Sequence, residues 1–485
     1  MSFNASVLDE PMLEFGGNGR DIDIRYGLMR YGPLEPERAS SVRIGIIGTA
    51  ETIEGFEKWL DRCKAGIDAK QSRQPNLFLP FPGLDNENPF RCSFEIDAHT
   101  RKTIPKADIS KLTSIPSTPK AILESVEIFG LQAQAIAEST APPDVIVCAL
   151  PYELISRVVH ETVIPADSDD EDSEDKKDTS RYDFRDLLKA RTLHLKRPIQ
   201  LVWPTTWDDN RKNVRNLEKL SGRRVQDPAT RAWNLFNALY YKAGYVPWRL
   251  PREPSDFDVS YIGISFYKDQ SGQRLLTSTA QMFDERGQGL ILRGGRACTD
   301  KNNRHPYLSR EDAYDLLRRS LQAYTAHHYH SPARVVLYKT SRFEPEEVEG
   351  FDYALTEERV RISDLVWVEE RTPFRLFRNG GYPPMRGTFL EMEKGAVLYS
   401  RGSVPYYRTY PGMYVPRPIM LNPYRRESTL AELSRETLSL TKMNWNSTQF
   451  DGSLPITLRA SRVVGRVLKH VSLGAAEAAE YRFYI

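Results

Sequence analysis

The chain has 485 residues, long enough for two or three domains that each bury an apolar core, and its 40% hydrophobic and 27% charged residues exclude the disordered and fibrous classes. No apolar run approaches the ~20 residues of a membrane span, and the opening MSFNASVLDEP has neither the basic nor the apolar region of a secretion signal, so the expected location is the cytoplasm. The formal net charge is +2, but residues 166–180 (ADSDDEDSEDKKDTS) hold eight acids against two lysines, −6, which leaves +2 − (−6) = +8 on the rest. Such a moderately basic body fits a phosphate-bearing partner without requiring one.

In chain order, residues 1–40 show little periodicity and glycines at 16, 17 and 19, the pattern of an arm that wraps another part of the molecule. Residues 42–47 (VRIGII) read as a strand, and residues 51–63 as a helix with Ile53, Phe56 and Leu60 on one face. A second helix is expected over 120–138, and the continuous apolar run 144–150 (DVIVCAL) reads as a strand buried on both faces of a parallel sheet. Gly45 and Gly48 do not complete a dinucleotide-binding fingerprint. The acidic run at 166–180 is a solvated loop insert, since like charges cannot offset their ordering entropy by burial. Beyond it come a helix at 182–195, a strand at 199–203, a helix at 227–242 and a proline-bearing connector at 245–253.

The second half opens with two strand-like runs, 259–267 and 275–283, joined by the turn residues 269–272. Ser309 caps a helix with Asp312 at its third position, and a strand follows at 335–338. The four cysteines, Cys63, Cys92, Cys148 and Cys298, form no CxxC pair, so they read as ordinary thiols. His327, His328 and His330 sit at a helix end and read as a cap or surface feature.

A phosphate site needs several charge-assisted donors that converge. Arg185 and Lys189, four apart on one helix face, together with Gln200 on a strand and Lys242 at a helix end, supply such a set. The same spacing also describes a basic helix face in water.

The strings RDLLKA (185–190), RPIQ (197–200) and YYKAGYVPWRL (240–250) resemble, in that order, the 5′-phosphate-binding motif of Argonaute MID domains. Lys189, Gln200 and Lys242 match the family's lysine, glutamine and lysine, while Arg185 stands where tyrosine or histidine is usual. The likeness continues in DVSYIGISFY (258–267), VVLYKTSRF (335–343) and LTKMNWNSTQFDGSLPITLRASRVVGRVLKHV (440–471), which resemble PIWI strands and the closing PIWI block. It implies an α/β chain with a Rossmann-like MID domain followed by an RNase H-like PIWI domain. Residues 1–250 would be the arm plus MID domain, and residues 251–485 the PIWI domain. The family's terminal carboxylate, here Ile485, is expected to hold magnesium beside the guide phosphate, and Lys442, Asn446 and Arg459 are candidate nucleic-acid contacts.

Slicing by the RNase H mechanism needs carboxylates that hold two metals about 4 Å apart. At the family's catalytic positions this sequence has Ser265, Thr340 and Ser461, so no slicing is expected. The chain resembles a short prokaryotic Argonaute. That resemblance implies a 5′-phosphorylated guide RNA, a single-stranded DNA target and a partner with an APAZ region fused to an NAD-destroying effector, sirtuin-like rather than TIR, in abortive infection. Other readings are a nuclease effector as partner, a guided endonuclease with an acid set such as Asp269, Glu344 and Asp451, and a scaffold without nucleic acid.

Overall fold

The computed structural model describes residues 5–38, 40–85, 88–158, 182–221, 224–252, 257–282, 289–299, 305–410, 412, 415–449, 451–472 and 480–485. The expected acidic loop at 166–180 lies outside them.

The first unit is a four-stranded parallel sheet in the order Ser93–Thr103, Ser41–Gly48, Val145–Ala149, Ile199–Val202. All five residues of Val145–Ala149 are buried, as its unbroken apolar run requires of a strand covered on both faces. Helix Ala50–Lys64 starts where Thr49 and Thr52 form a capping box, and it places Ile53, Phe56 and Trp59 in the same apolar cluster as Ile44, Ile46, Val145 and Val147. Helix Thr118–Ala137 places Ile122, Val126, Phe129 and Ile136 with Ile47, Ile146 and Cys148 in a second cluster. The sheet is thus covered from both sides, and each large aliphatic or aromatic residue buried this way contributes about 1.5–3 kcal/mol. Ser93–Thr103 was not legible as a strand, because its alternation is broken by charged residues along an edge.

The second unit is a nine-stranded mixed sheet. Its centre is three parallel strands, Val259–Lys268, Arg334–Lys339 and Ile362–Glu369, with the middle one paired to both neighbours. Val259–Lys268 also forms the expected antiparallel hairpin with Leu275–Met282, closed by a turn in which Asp269 accepts from Ser271, Gln273 and Arg274. Helices Arg310–His328 and Pro345–Glu357 pack with Ile262, Ile264, Val335 and Leu337 in one cluster. Helices Leu430–Leu440 and Ile456–Leu468 pack with Val336, Tyr338, Val366 and Val368 in another. Ser309 caps Arg310–His328 by accepting from the Asp312 amide at 3.1 Å.

Residues 5–38 touch both units. Ala5–Val7 adds an antiparallel strand to Thr388–Met392 at the outer edge of the nine-stranded sheet. Leu8, Leu13, Phe15, Ile24 and Leu28 then join an apolar cluster that takes residues from both units. Among the described residues no helix is long and apolar enough to cross a membrane, and the four cysteines are free thiols.

Candidate nucleic-acid interface

Helix Pro228–Lys242 begins at Asp227, whose side chain accepts from the Thr230 amide. It ends because Gly244 adopts a φ of +100°, the left-handed region that stops a helix. Lys242 is therefore its last residue. The Lys242 side chain is 2% exposed, and its ammonium donates to Gln200 Oε1, while Gln200 Nε2 donates to the Leu201 carbonyl at 2.8 Å. Gln200 sits near the start of strand Ile199–Val202.

Lys189 lies on helix Phe184–Thr192, which Asp183 caps by accepting from the Asp186 amide at 2.8 Å. It too is only 2% exposed, unlike a lysine on a solvated basic face. Arg185 is partly buried and pairs with Asp186 at 2.9 Å. The structure thus joins Gln200 to Lys242 directly and keeps Lys189 buried on the adjoining helix.

Two cations that sequence reasoning did not assign face the same helix. Arg466, on helix Ile456–Leu468 of the second unit, donates to Asp186 at 3.1 Å, and Lys469 adds its charge nearby. Burial alone would raise the Asp186 carboxyl, but Arg466, Arg185 and Lys469 hold it far below the usual carboxylate range. Burial and the neighbouring Asp186 charge push Asp183 the other way, upward. The signal was present in the sequence, since Arg462 and Arg466 stand four apart on one helix, as Arg185 and Lys189 do.

The last residues complete this region. Tyr481–Phe483 packs on helix Pro228–Lys242, the Arg482 guanidinium donates to the Lys242 carbonyl at 3.4 Å, and Tyr484 and Ile485 are buried.

Lys442 and Asn446 lie in the interior. Lys442 is fully buried; its ammonium donates to the carbonyls of Pro11 and Ile22 and faces Glu10 at 3.3 Å, so it fastens the arm. Burial pulls its pKa down to about 8, against the pull of Glu10. Asn446 is buried at the joint between the units, beside Trp445. There the Trp445 indole donates to the Trp248 carbonyl at 2.9 Å, Asn237 donates to the Trp445 carbonyl at 2.6 Å, and Tyr241 stacks on Trp445 with centroids 5.3 Å apart. Arg459 is partly exposed on helix Ile456–Leu468.

Ser265 and Thr340 stand side by side, because Ile264 pairs with Lys339 in parallel register and each is the next residue of its chain. Ser461 lies on helix Ile456–Leu468, which crosses so closely that a Cβ on Gly263 would fall 2.3 Å from the Thr457 backbone. Ser265 and Ser461 are buried, and the Ser461 hydroxyl donates back to the Leu458 carbonyl at 2.9 Å. Among the described residues no three His, Cys, Asp or Glu side chains form a group able to hold a metal ion. The acids named as an alternative set serve locally: Asp269 in its turn, Glu344 as a helix cap, and Asp451 as acceptor for Gln449.

No family model matches the sequence. No curated protein matches it either. Among solved structures, the chain is similar to Clostridium butyricum Argonaute bound to a guide DNA and a 19-mer target DNA, with a TM-score of 0.64 at 13% identity over 99% of this chain and 55% of that one. Drosophila Piwi gives a TM-score of 0.60 at 13% identity over 99% and 56%. Marinitoga piezophila Argonaute in complex with a 5′-OH guide RNA gives 0.56 at 12% over 99% and 59%. The chain therefore spans a little over half the length of these proteins. Its fold is Argonaute-like: a Rossmann-like MID layer joined to an RNase H-like PIWI sheet.

Proposed function

We propose that the chain is a guide-binding, non-slicing short Argonaute. The observation that carries this reading is the contact between Lys242 and Gln200, two polar side chains that converge from a helix end and a strand start; Lys189 is buried on helix Phe184–Thr192. A site of converging donors suits negative charge. A terminal phosphate supplies close to two such charges and several acceptors, which suits a set of converging donors.

In this reading the 5′-phosphate of a guide RNA sits on Lys189, Gln200 and Lys242, with Arg185 and Arg466 at its margin. A magnesium ion beside that phosphate, held by the carboxylate expected of Ile485, would suit a hard cation between oxygen ligands. Base pairing with single-stranded DNA then reads the sequence, while the protein holds the guide's end and the backbone. Ser265, Thr340 and Ser461 offer hydroxyls where slicing requires anions, so the output passes to a partner. We propose an APAZ-containing effector, sirtuin-like rather than TIR, that depletes NAD in the cytoplasm of an infected cell.

The test is binding of a short RNA with and without a 5′-phosphate, in magnesium, to the wild type and to Lys189→Ala plus Lys242→Ala, with thermal melts to establish that both fold. Each lost charge-assisted contact is expected to cost on the order of 1.5–3 kcal/mol, so the preference for phosphate should collapse in the variant. Equal binding by both proteins would overturn the pocket.

A further inference from the structure

The three parallel strands of the second unit end on one side of the sheet, where Ser265 and Thr340 stand. From the third of them, Ile362–Glu369, the chain leaves into residues 371–387, RTPFRLFRNGGYPPMRG, which contain four arginines and no acid. Arg386 is withdrawn into the interior, where it pairs with Glu10 at 3.0 Å. Arg371, Arg375 and Arg378 are exposed. Between the last two stands Phe377, which is 86% exposed, and Tyr382 is 46% exposed.

The loop is built so that these groups project. The buried Tyr399 hydroxyl accepts from the Leu376 amide at 2.7 Å, which anchors the backbone one residue before Phe377. Arg375 donates to the carbonyls of Thr372 and Phe374 at 2.8 and 2.6 Å, and Arg378 donates to the Tyr382 carbonyl at 3.3 Å. Gly380 turns the chain with a φ of +106°, and a Cβ there would meet nothing within 4 Å. Among the described residues neither Arg375 nor Arg378 has an acidic partner. The root is tied down by the Glu370–Arg462 ion pair, on the same helix whose Arg466 meets Asp186. The exposed Arg342, stacked 4.9 Å over Trp367, extends the cationic edge.

A single exposed phenylalanine on a protein surface is ordinary. One that stands between two arginines in the chain, on a loop without acids, matches the pairing of stacking face and phosphate donors that binds single strands without regard to sequence. We propose that residues 371–387 form a second nucleic-acid contact: Phe377 stacks on a base of a single strand, while Arg375 and Arg378 take the flanking phosphates. This contact is separate from the guide-end pocket and requires no 5′-phosphate.

The test is fluorescence anisotropy with labelled 20-nucleotide single strands, DNA and RNA, that lack a 5′-phosphate, titrated at several salt concentrations against the full chain. Phe377→Leu should weaken binding about tenfold or more while Phe377→Trp keeps it, because only an aromatic ring offers a stacking face. Arg375→Gln plus Arg378→Gln should flatten the dependence of log K on log salt by about 1.4, at about 0.7 per phosphate released from a single strand. All three positions are exposed, so the variants should melt as the wild type does. Equal affinity for Leu and Trp at 377, or an unchanged salt slope, overturns the proposal and leaves the patch to an acidic protein segment. Loss of 5′-phosphate preference in Lys189→Ala plus Lys242→Ala reports on the other site alone.

Discussion

Arg466 of the second unit donates to Asp186 of the first at 3.1 Å, three residues before Lys189 on the same helix. The bridge makes the surroundings of helix Phe184–Thr192 a property of both units. A rotation of one against the other would strip the buried Asp186 of its main counter-charge.

Asp183 and Asp186 should therefore answer substitution oppositely. The Asp186 pKa is depressed, so its stabilisation is present above the unfolded carboxylate value and lost as pH falls through the folded one. Asp183 is raised, so its ionisation costs stability as pH rises. At neutral pH Asp186→Asn is expected to lose about 2–3 kcal/mol, less than a wholly buried pair would because Arg466 reaches water. Asp183→Asn keeps a good cap and should be neutral or stabilising. Urea denaturation of the two variants decides this; equal losses would refute the assignment.

The Lys442 ammonium predicts a distinct alkaline behaviour. Its folded pKa is about 8, whereas a lysine in the unfolded chain titrates near 10.4. Between those values the unfolded state binds more protons, so this group makes stability rise with pH, and below about 8 its contribution is flat. Lys442→Met leaves Arg386 facing Glu10 and should abolish the rise. Chemical denaturation at pH 7, 8.5 and 10, taken as wild type minus variant, measures it; parallel curves would refute it.

Gly263→Ala should separate helix Ile456–Leu468 from the sheet. The new methyl would lie 2.3 Å from the Thr457 backbone, which has no side-chain freedom with which to yield. The expected cost is about 1–3 kcal/mol or more, read as a lower melting temperature. A melt within a degree of wild type would show that the helix adjusts freely.

A guide-loaded chain supplied with target DNA and magnesium or manganese should leave the target intact, since two-metal cleavage requires an anionic cluster and Ser265, Thr340 and Ser461 carry none. Gel analysis of the labelled target checks this. A metal-dependent product of defined length would revive a noncanonical acid set.

What the sequence made legible followed local periodicity. The run at 145–149 announced a strand buried on both faces, and Ser309 announced the helix it caps, because neighbours in sequence decide both. Ser93–Thr103 is not legible as a strand because an edge strand need not be apolar. The burial of Lys442 is not legible, because a lysine reads alike in a string whether its amine meets water or two carbonyls of a distant arm. The pairing of Lys242 with Gln200 was suggested by likeness, since 42 residues separate them and no local pattern links them.

The grip of Glu10 on Arg386 spans 376 positions, and that separation sets an order in time. A ribosome adding roughly 5–20 residues each second finishes the arm tens of seconds before the strand that will receive it. During synthesis Ala5–Val7 has no sheet edge to join, and Glu10 meets neither of its cations. Such distant pairings make for slow folding. The growing chain must carry this unsatisfied segment until Arg386 has been made, a long interval in which a nascent-chain chaperone has something to hold.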